Sequence, residues 1–253
     1  MVAPMKIAIL SDIHGNLPAL EAVIADMASA HVDRIYNLGD CLSGPLWPSE
    51  TADRLIALDW PTLAGNHERQ MLLPGQDPNT SDGFAATRIT PYQRAWLAGL
   101  PAQLEPFPDV LLCHGTPTCD EAYWLHQGKP GAMRKASEAE IAYHATHHLL
   151  ALCGHTHAAR SISLQDGRII ANPGSVGLPA YDDDPIMPDL PEPGGPRARY
   201  LVAEREEGFW RVELRAVTYD FEKAAQRAEL HGRAGWAHTL RTGRTLNQPD
   251  SGI

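Results

Sequence analysis

The sequence predicts an α/β protein that begins as alternating strands and helices and ends in antiparallel hairpins. Three observations carry this. Short apolar runs stop abruptly at polar, often glycine-containing turns; apolar residues at helical spacing follow the early runs; and two later stretches fold apolar residues about a glycine turn.

Lys6-Ile7-Ala8-Ile9-Leu10 is a continuous apolar run of the kind a strand buried on both faces requires. Asn16 can then cap a helix through Leu17, Leu20, Ile24 and Met27. Arg34-Ile35-Tyr36-Asn37-Leu38 is the second strand, ending in Gly39-Asp40, and Pro48 suits the first turn of a helix through Ala52, Leu55 and Ile56. Thr62-Leu63-Ala64 reads as a third strand before Gly65-Asn66-His67. Val110-Leu111-Leu112-Cys113 precedes His114, and Leu149-Leu150-Ala151-Leu152 precedes Gly154-His155. A hairpin is expected from Arg160 to Asn172 about Asp166-Gly167, and a second from Tyr200 to Leu214 about Glu207-Gly208. Tyr219 to Leu230 reads as the terminal helix. The chain is expected to form one domain over 1–253, with 181–196 a surface loop insertion rich in Asp, Pro and Gly and 242–253 a loose tail.

With 253 residues, 43% of them apolar and 21% charged, the chain can close a substantial core. A net charge of −10 argues against a nucleic-acid partner, which needs a basic stripe, but bound cations could reverse the field locally for a phosphate ester. No apolar run reaches the ~20 residues of a membrane span, and Met1 to Leu10 is too short for an export signal. Cys41, Cys113, Cys119 and Cys153 lack paired spacing and read as reduced, structural thiols, so a cytoplasmic protein without membrane association is expected. Nothing in the sequence speaks to oligomeric state.

The chemistry lies just past the strand ends. Asp12 and His14 come after the first strand, Asp40 after the second, Asn66 and His67 after the third, His114 after another, and His155 and His157 after the last of the series. Ligands in open α/β sheets bind beyond the carboxyl ends of strands, so all these side chains are expected on one rim of the sheet. Carboxylates, imidazoles and an amide oxygen suit manganese, iron or zinc rather than calcium. Seven donors exceed one tetrahedral site but suffice for two ions sharing a carboxylate. Singly the motifs are weak; the ordered set is specific.

Asp12-Ile13-His14, Gly39-Asp40, Gly65-Asn66-His67-Glu68, His114-Gly115 and Gly154-His155-Thr156-His157 resemble the signature blocks of the calcineurin-like metallophosphoesterase superfamily. Asn172-Pro173-Gly174-Ser175-Val176-Gly177 is similar to a segment of its small bacterial phosphodiesterase branch, and the likeness runs from Lys6 to about Gly243. The resemblance implies a four-layer αββα sandwich with two mixed sheets. It also implies a dinuclear-metal-dependent phosphoesterase that cleaves a small or nucleotide-like mono- or diester with a metal-bridging hydroxide. The cofactors would be two divalent ions, manganese foremost, with iron or zinc as alternatives. One ion would be held by Asp12, His14, Asp40 and His157, and the other by Asp40, Asn66, His114 and His155, with Asp40 bridging. His67 and Asn66 would act on the substrate, His67 contacting the phosphate or protonating the leaving oxygen.

Two departures bear on the class. Gly44 and Ala64 stand where the protein phosphatase branch carries arginines, which argues against a phosphoprotein substrate, and Ala180 stands where the bacterial branch often has an arginine. A non-catalytic metal-binding scaffold is the other reading; the complete donor set with His67 favours the enzyme. His31, His126, His144, His147, His148, His231 and His238 fall outside the blocks and are expected to be ordinary. Tyr123, Trp124, His126 and Lys129 lie in the loop after His114, which is expected either to wall the cleft or to pack inward.

Overall fold

The computed structural model of the chain describes residues 5–128, 133–181 and 196–246. Strand β1 (Met5–Leu10) leads into helix α1 (Leu17–Ala30), and β2 (Arg34–Asn37) leads through a long turn into α2 (Pro48–Leu58). Three short helices come next, α3 (Asn66–Met71), α4 (Ser81–Ala86) and α5 (Pro91–Ala98). Then come β3 (Gln103–Phe107), β4 (Val110–Cys113), the two-residue strands β5 (His126–Gln127) and β6 (Arg134–Lys135), and α6 (Glu138–His144). The chain continues through β7 (Leu150–Leu152), β8 (Arg160–Ser163), β9 (Ile169–Asn172), the long pair β10 (Arg197–Glu206) and β11 (Phe209–Thr218), and helices α7 (Phe221–Leu230) and α8 (Ala234–Thr242).

Two mixed sheets result, ordered β11-β10-β1-β2 and β3-β4-β7-β9-β8, beside the small β5-β6 pair. In the first, β1 is parallel to β2 and antiparallel to β10; in the second, β4, β7 and β9 run parallel between antiparallel edges. Alternation along each strand sets the layers. Ile7 and Ile9 of β1 pack with Val110 and Leu112 of β4 and Leu150 and Leu152 of β7, so the sheets meet face to face. Ala8 and Leu10 point the other way, onto Leu20, Val23 and Met27 of α1 and Ala224 and Ala228 of α7. Leu111, Cys113 and Ala151 face Ile141 of α6 and Trp124. Helix, sheet, sheet, helix is the four-layer αββα sandwich, and it explains the near-continuous apolar runs of the central strands.

Asn16 caps α1 by accepting from the Ala19 N–H at 3.3 Å, and Pro48 opens α2, as their positions predict. Both hairpins form, the second longer than expected. Three expectations need correction. Thr62-Leu63-Ala64 is not a strand: it makes a single bridge with Asn37, because Pro61 has no N–H to extend the ladder and the Ala64 N–H turns away to Pro101. The helix expected to be terminal starts at Phe221, capped by Asp220, and is followed by α8. The stretch from Glu68 to Asp109, for which the sequence predicts no element, holds α3, α4, α5 and β3, all too short for helical periodicity to stand out. The expected loop insertion and tail fall mostly on 182–195 and 247–253, outside the described residues. Among the described residues no helix is long and apolar enough to cross a membrane.

Candidate active site

The strand ends bring the candidate groups together from two sheets rather than one. Asp12, His14 and Asp40 follow β1 and β2, and Asn66 and His67 open α3 after the Thr62 bridge; His114 follows β4, and His155 and His157 follow β7. Backbone bonds tie these turns. The Asp12 N–H donates to Gly39 O and the His14 N–H to Asp40 O, each at 3.0 Å, and Gly154 N–H donates to His114 O at 2.6 Å. Across the sheets, the His155 N–H donates to Asp12 Oδ2 at 3.2 Å.

The local backbone is unusual. Asp12, His14, Asp40, His155 and His157 all have φ between 52° and 68°, in the left-handed region. Each such non-glycine residue costs on the order of 1–2 kcal/mol, and conformations of this kind persist where the surrounding structure enforces them, often at functional sites. Only three other described non-glycine residues, His31, Asp59 and Glu207, share this feature.

Two clusters of donor atoms result. Ligand atoms of Asp12, His14 and His157 lie within 4.8 Å of one another, and so do those of Asp40, His114 and His155. Hydrogen bonding orients the rings. A backbone carbonyl can only accept, so His14 Nδ1–H donates to Ser43 O at 2.8 Å, and His114 Nδ1–H donates to Leu38 O at 2.8 Å. In the neutral rings each Nε2 is then a lone pair aimed into the site. His14 Nε2 lies 3.0 Å from His157 Nε2, which is 3.3 Å from Asp12 Oδ1. His114 Nε2 lies 3.0 Å from Asp40 Oδ2 and 3.1 Å from Asn66 Oδ1. Among the described residues, Asp12 Oδ1 and His157 Nδ1 are buried without hydrogen-bond partners.

Acceptors converging in this way call for positive charge, and the electrostatics agree. Burial opposes charge on His114, but Asp40 outweighs it and pushes the ring up to about 10. Burial would raise Asp40, but His114 and His67 outweigh it and hold the carboxyl well below its ordinary range. Burial likewise opposes ionisation of Asp12, and His157 outweighs it. Burial, with a smaller contribution from charged neighbours, lowers His14 to about 3 and His155 to about 4, so both rings are neutral at pH 7, the form that binds metals. The donor set therefore fits two cations, one at each cluster.

His67 stands beside them. Its Nδ1 is 2.8 Å from Asp82 Oδ1 of α4, and its Nε2 lies 3.9 Å from Asp40 Oδ2. Burial opposes its protonation, but Asp40 and Asp82 outweigh it and raise the ring to about 9. Its backbone N–H donates to Asp40 Oδ1 at 3.0 Å. Asp82 does not stand out in the sequence; a lone Asp in a six-residue helix carries no signal there. The same holds for the role of Glu68, fully buried, which accepts from the N–H groups of Asp40, Cys41 and Gly65 at 2.7–2.8 Å and so fixes two of the ligand turns to each other. Gly65 is required by close approach: a Cβ there would lie 2.3 Å from Asp40 Oδ1 and 2.8 Å from the His114 ring.

The Asn172–Gly177 segment is scaffolding. Asn172 Nδ2 donates to Gly154 O at 2.5 Å and to Thr156 Oγ1 at 3.1 Å, holding the His155–His157 turn, and Ser175 Oγ donates to Asp12 O at 2.7 Å. A cavity of about 440 Å³ opens over the donors, lined by His67, Gln70, Tyr123, Tyr181 and Trp236 among others. The loop after His114 is thus divided, since Tyr123 faces the cavity while Trp124 is buried against α6, donating to Ile141 O at 3.0 Å; Lys129 lies outside the described residues. The described donor clusters include none of the cysteines and none of the other histidines, and burial raises the Cys41, Cys113 and Cys153 thiols.

Comparison with known proteins places this arrangement. The chain is 23% identical over 244 residues to the uncharacterized protein MJ0912 of Methanocaldococcus jannaschii, covering 91% of this chain and 94% of that one. Its fold is similar to the crystal structure of a metallophosphoesterase from Sphaerobacter thermophilus, with a TM-score of 0.72 and 24% identity over 95% of this chain and all of that one. Residues 5–187, which span all seven candidate donors, match the model of the calcineurin-like phosphoesterase superfamily domain, and the chain belongs to that superfamily.

Proposed function

We propose that this chain is a metal-dependent phosphoesterase that uses two divalent cations, manganese foremost, to hydrolyse a small or nucleotide-like phosphate ester. The observation that carries the reading is the pair of mixed oxygen and nitrogen clusters, Asp12/His14/His157 and Asp40/His114/His155, at one cavity with His67. Asn66, with Oδ1 beside His114 Nε2, completes the proposed donor set, and Asp40 stands beside both His114 and His67.

When bound, the cations supply Lewis-acid charge for the phosphoryl oxygens and lower the pKa of water in the site to about 7. The chain's own groups do the rest. His14 and His114 are locked by Ser43 O and Leu38 O, so Nε2 of each ring already faces the site; His114, protonated in the metal-free protein, would give up that proton to a bound cation. His67, with Nδ1 engaged by Asp82, presents Nε2–H to the cavity, where it can donate to a phosphoryl oxygen or hand its proton to the departing oxygen. Asp82 accepts from Nδ1–H and, with Asp40, keeps the ring protonated, so that Nε2 carries a proton as well.

The test is direct. Protein loaded with Mn²⁺ is expected to hold two ions per chain by elemental analysis and to turn over p-nitrophenyl phosphate, bis(p-nitrophenyl) phosphate or both. Two bound ions with turnover of neither ester would replace this reading with the non-catalytic scaffold.

A further inference from the structure

The donor clusters occupy only part of the cavity. Its outer wall is aromatic: Trp236 of α8 sits edge-on to His14 with ring centroids 6.2 Å apart, and Tyr181 sits edge-on to His157 at 4.7 Å. Both line the same cavity, with Leu178 and Ala180. Among the described residues, no lysine or arginine lines it. Whatever the site recognises beyond one phosphate is therefore met by aromatic rings and polar or acidic side chains such as Gln70 and Glu121 rather than by lysine or arginine.

Trp236 is placed deliberately. Gly44 leaves room for it: a Cβ at that position would fall 2.6 Å from the indole Cη2. Neighbouring Ala237, Thr239 and Leu240 are buried, and Arg241 pairs with both Glu222 and Glu229 of α7, which fixes α8 against the body of the fold. The indole itself remains partly exposed, and its N–H has no hydrogen-bond partner among the described residues, whereas Trp124 and Trp210 donate to Ile141 O and Asp109 Oδ2. A partly exposed tryptophan lining an active-site cavity offers a stacking face and a donor for a planar polar ring. Tyr181 is held in its place by a 2.7 Å hydroxyl contact with Tyr123, whose ring lies 5.1 Å from His155.

We infer that Trp236, with Tyr181, forms a subsite for a planar aromatic group, such as a nucleobase, carried by the phosphate ester. This rests on the phosphoesterase reading and deepens it: Trp236 is a specificity-determining residue supplied by the C-terminal helix, beyond residues 5–187 that match the superfamily.

The experiment is calorimetric binding to the Mn²⁺-loaded protein of AMP against ribose 5-phosphate, of phenyl phosphate against methyl phosphate, and of inorganic phosphate. Each aromatic ligand is expected to bind about tenfold tighter than its non-aromatic partner, the scale of one base–aromatic stack. An advantage for AMP alone identifies a nucleobase, and one in both pairs any aryl ring; either supports the subsite. Trp236→Leu should lower AMP affinity about tenfold more than ribose 5-phosphate affinity. Tyr181→Leu, which removes the second ring while leaving the tryptophan in place, should erode the same preference. Quenching of tryptophan fluorescence by AMP should weaken in Trp236→Phe, where the other five tryptophans remain. If inorganic phosphate binds but neither aromatic ligand gains, or both variants lose AMP and ribose 5-phosphate affinity equally, the subsite is wrong while the phosphoesterase reading stands. Failure of every phosphate to bind metal-loaded protein would remove both.

Discussion

At the scale of single residues, the site is built from orientation as much as from identity. His67 illustrates this, because Asp82 and Asp40 together keep its ring protonated despite burial. His67→Ala is expected to retain both ions by elemental analysis while slowing ester turnover about 100-fold, the usual loss for a general acid. Unchanged turnover would remove His67 from the mechanism. A second histidine makes a pH prediction. His126 is buried with neither ring nitrogen hydrogen-bonded among the described residues, and burial, then Arg160 and Lys135, lower it to about 4. Its pKa is depressed on folding, so the unfolded chain takes up the proton first as pH falls below about 6.5. Its contribution to stability is thus complete above that pH and is lost on the way down to about 4. Between pH 7 and 5 the loss should be about 1–2 kcal/mol by this linkage. In urea titrations His126→Leu should lose less stability than wild type over that interval; equal losses would contradict the assignment.

Among elements, the strands deliver ligands only because neighbouring turns hold one another. Asn172, at the end of β9, braces the turn that carries His155 and His157 through Gly154 O and Thr156 Oγ1. Asn172→Ala leaves those buried groups unpaired, and a stability loss of about 1–3 kcal/mol is expected in urea denaturation. Because Asp12 and His155 are joined through this turn, Mn²⁺ affinity should fall as well, measured by calorimetry. A stability loss with metal affinity intact would show that the brace does not reach the donors. Glu68 does the same for the Asp40 and Gly65 turns from inside α3.

For the molecule as a whole, two sheets packed face to face close a rim that neither could form alone. Buried acceptors converge there from both sheets, so cation binding should couple to global stability. Saturating Mn²⁺, at about 1,000 times its Kd, should stabilise the fold by about 4 kcal/mol and raise the thermal midpoint, and a chelator should reverse the shift. Asp40→Asn, which removes the carboxylate that stands beside both His114 and His67, should abolish most of that increase. A midpoint indifferent to Mn²⁺ in the wild type would mean that the convergent donors do not bind it.

Much of this fold and site is readable from the chain. Central strands buried on both faces must be apolar throughout, so β1, β2, β4 and β7 show as runs, and chemistry-bearing residues stand out where those runs stop. The short helices α3, α4 and α5, the helix α8, and the reduction of Thr62-Leu63-Ala64 to one bridge are not readable, because elements of one or two turns leave no periodic pattern. Residue order alone marked Asp12, His14, Asp40, Asn66, His114, His155 and His157 as candidate donors, since ligand-type residues recur where the apolar runs stop. Their pairing into two clusters across two sheets, the alignment of Asp82 with His67, and the placing of Trp236 over the cavity were decided by tertiary packing. These are contacts between residues far apart in the chain, and local sequence carries no trace of them until the sheets close.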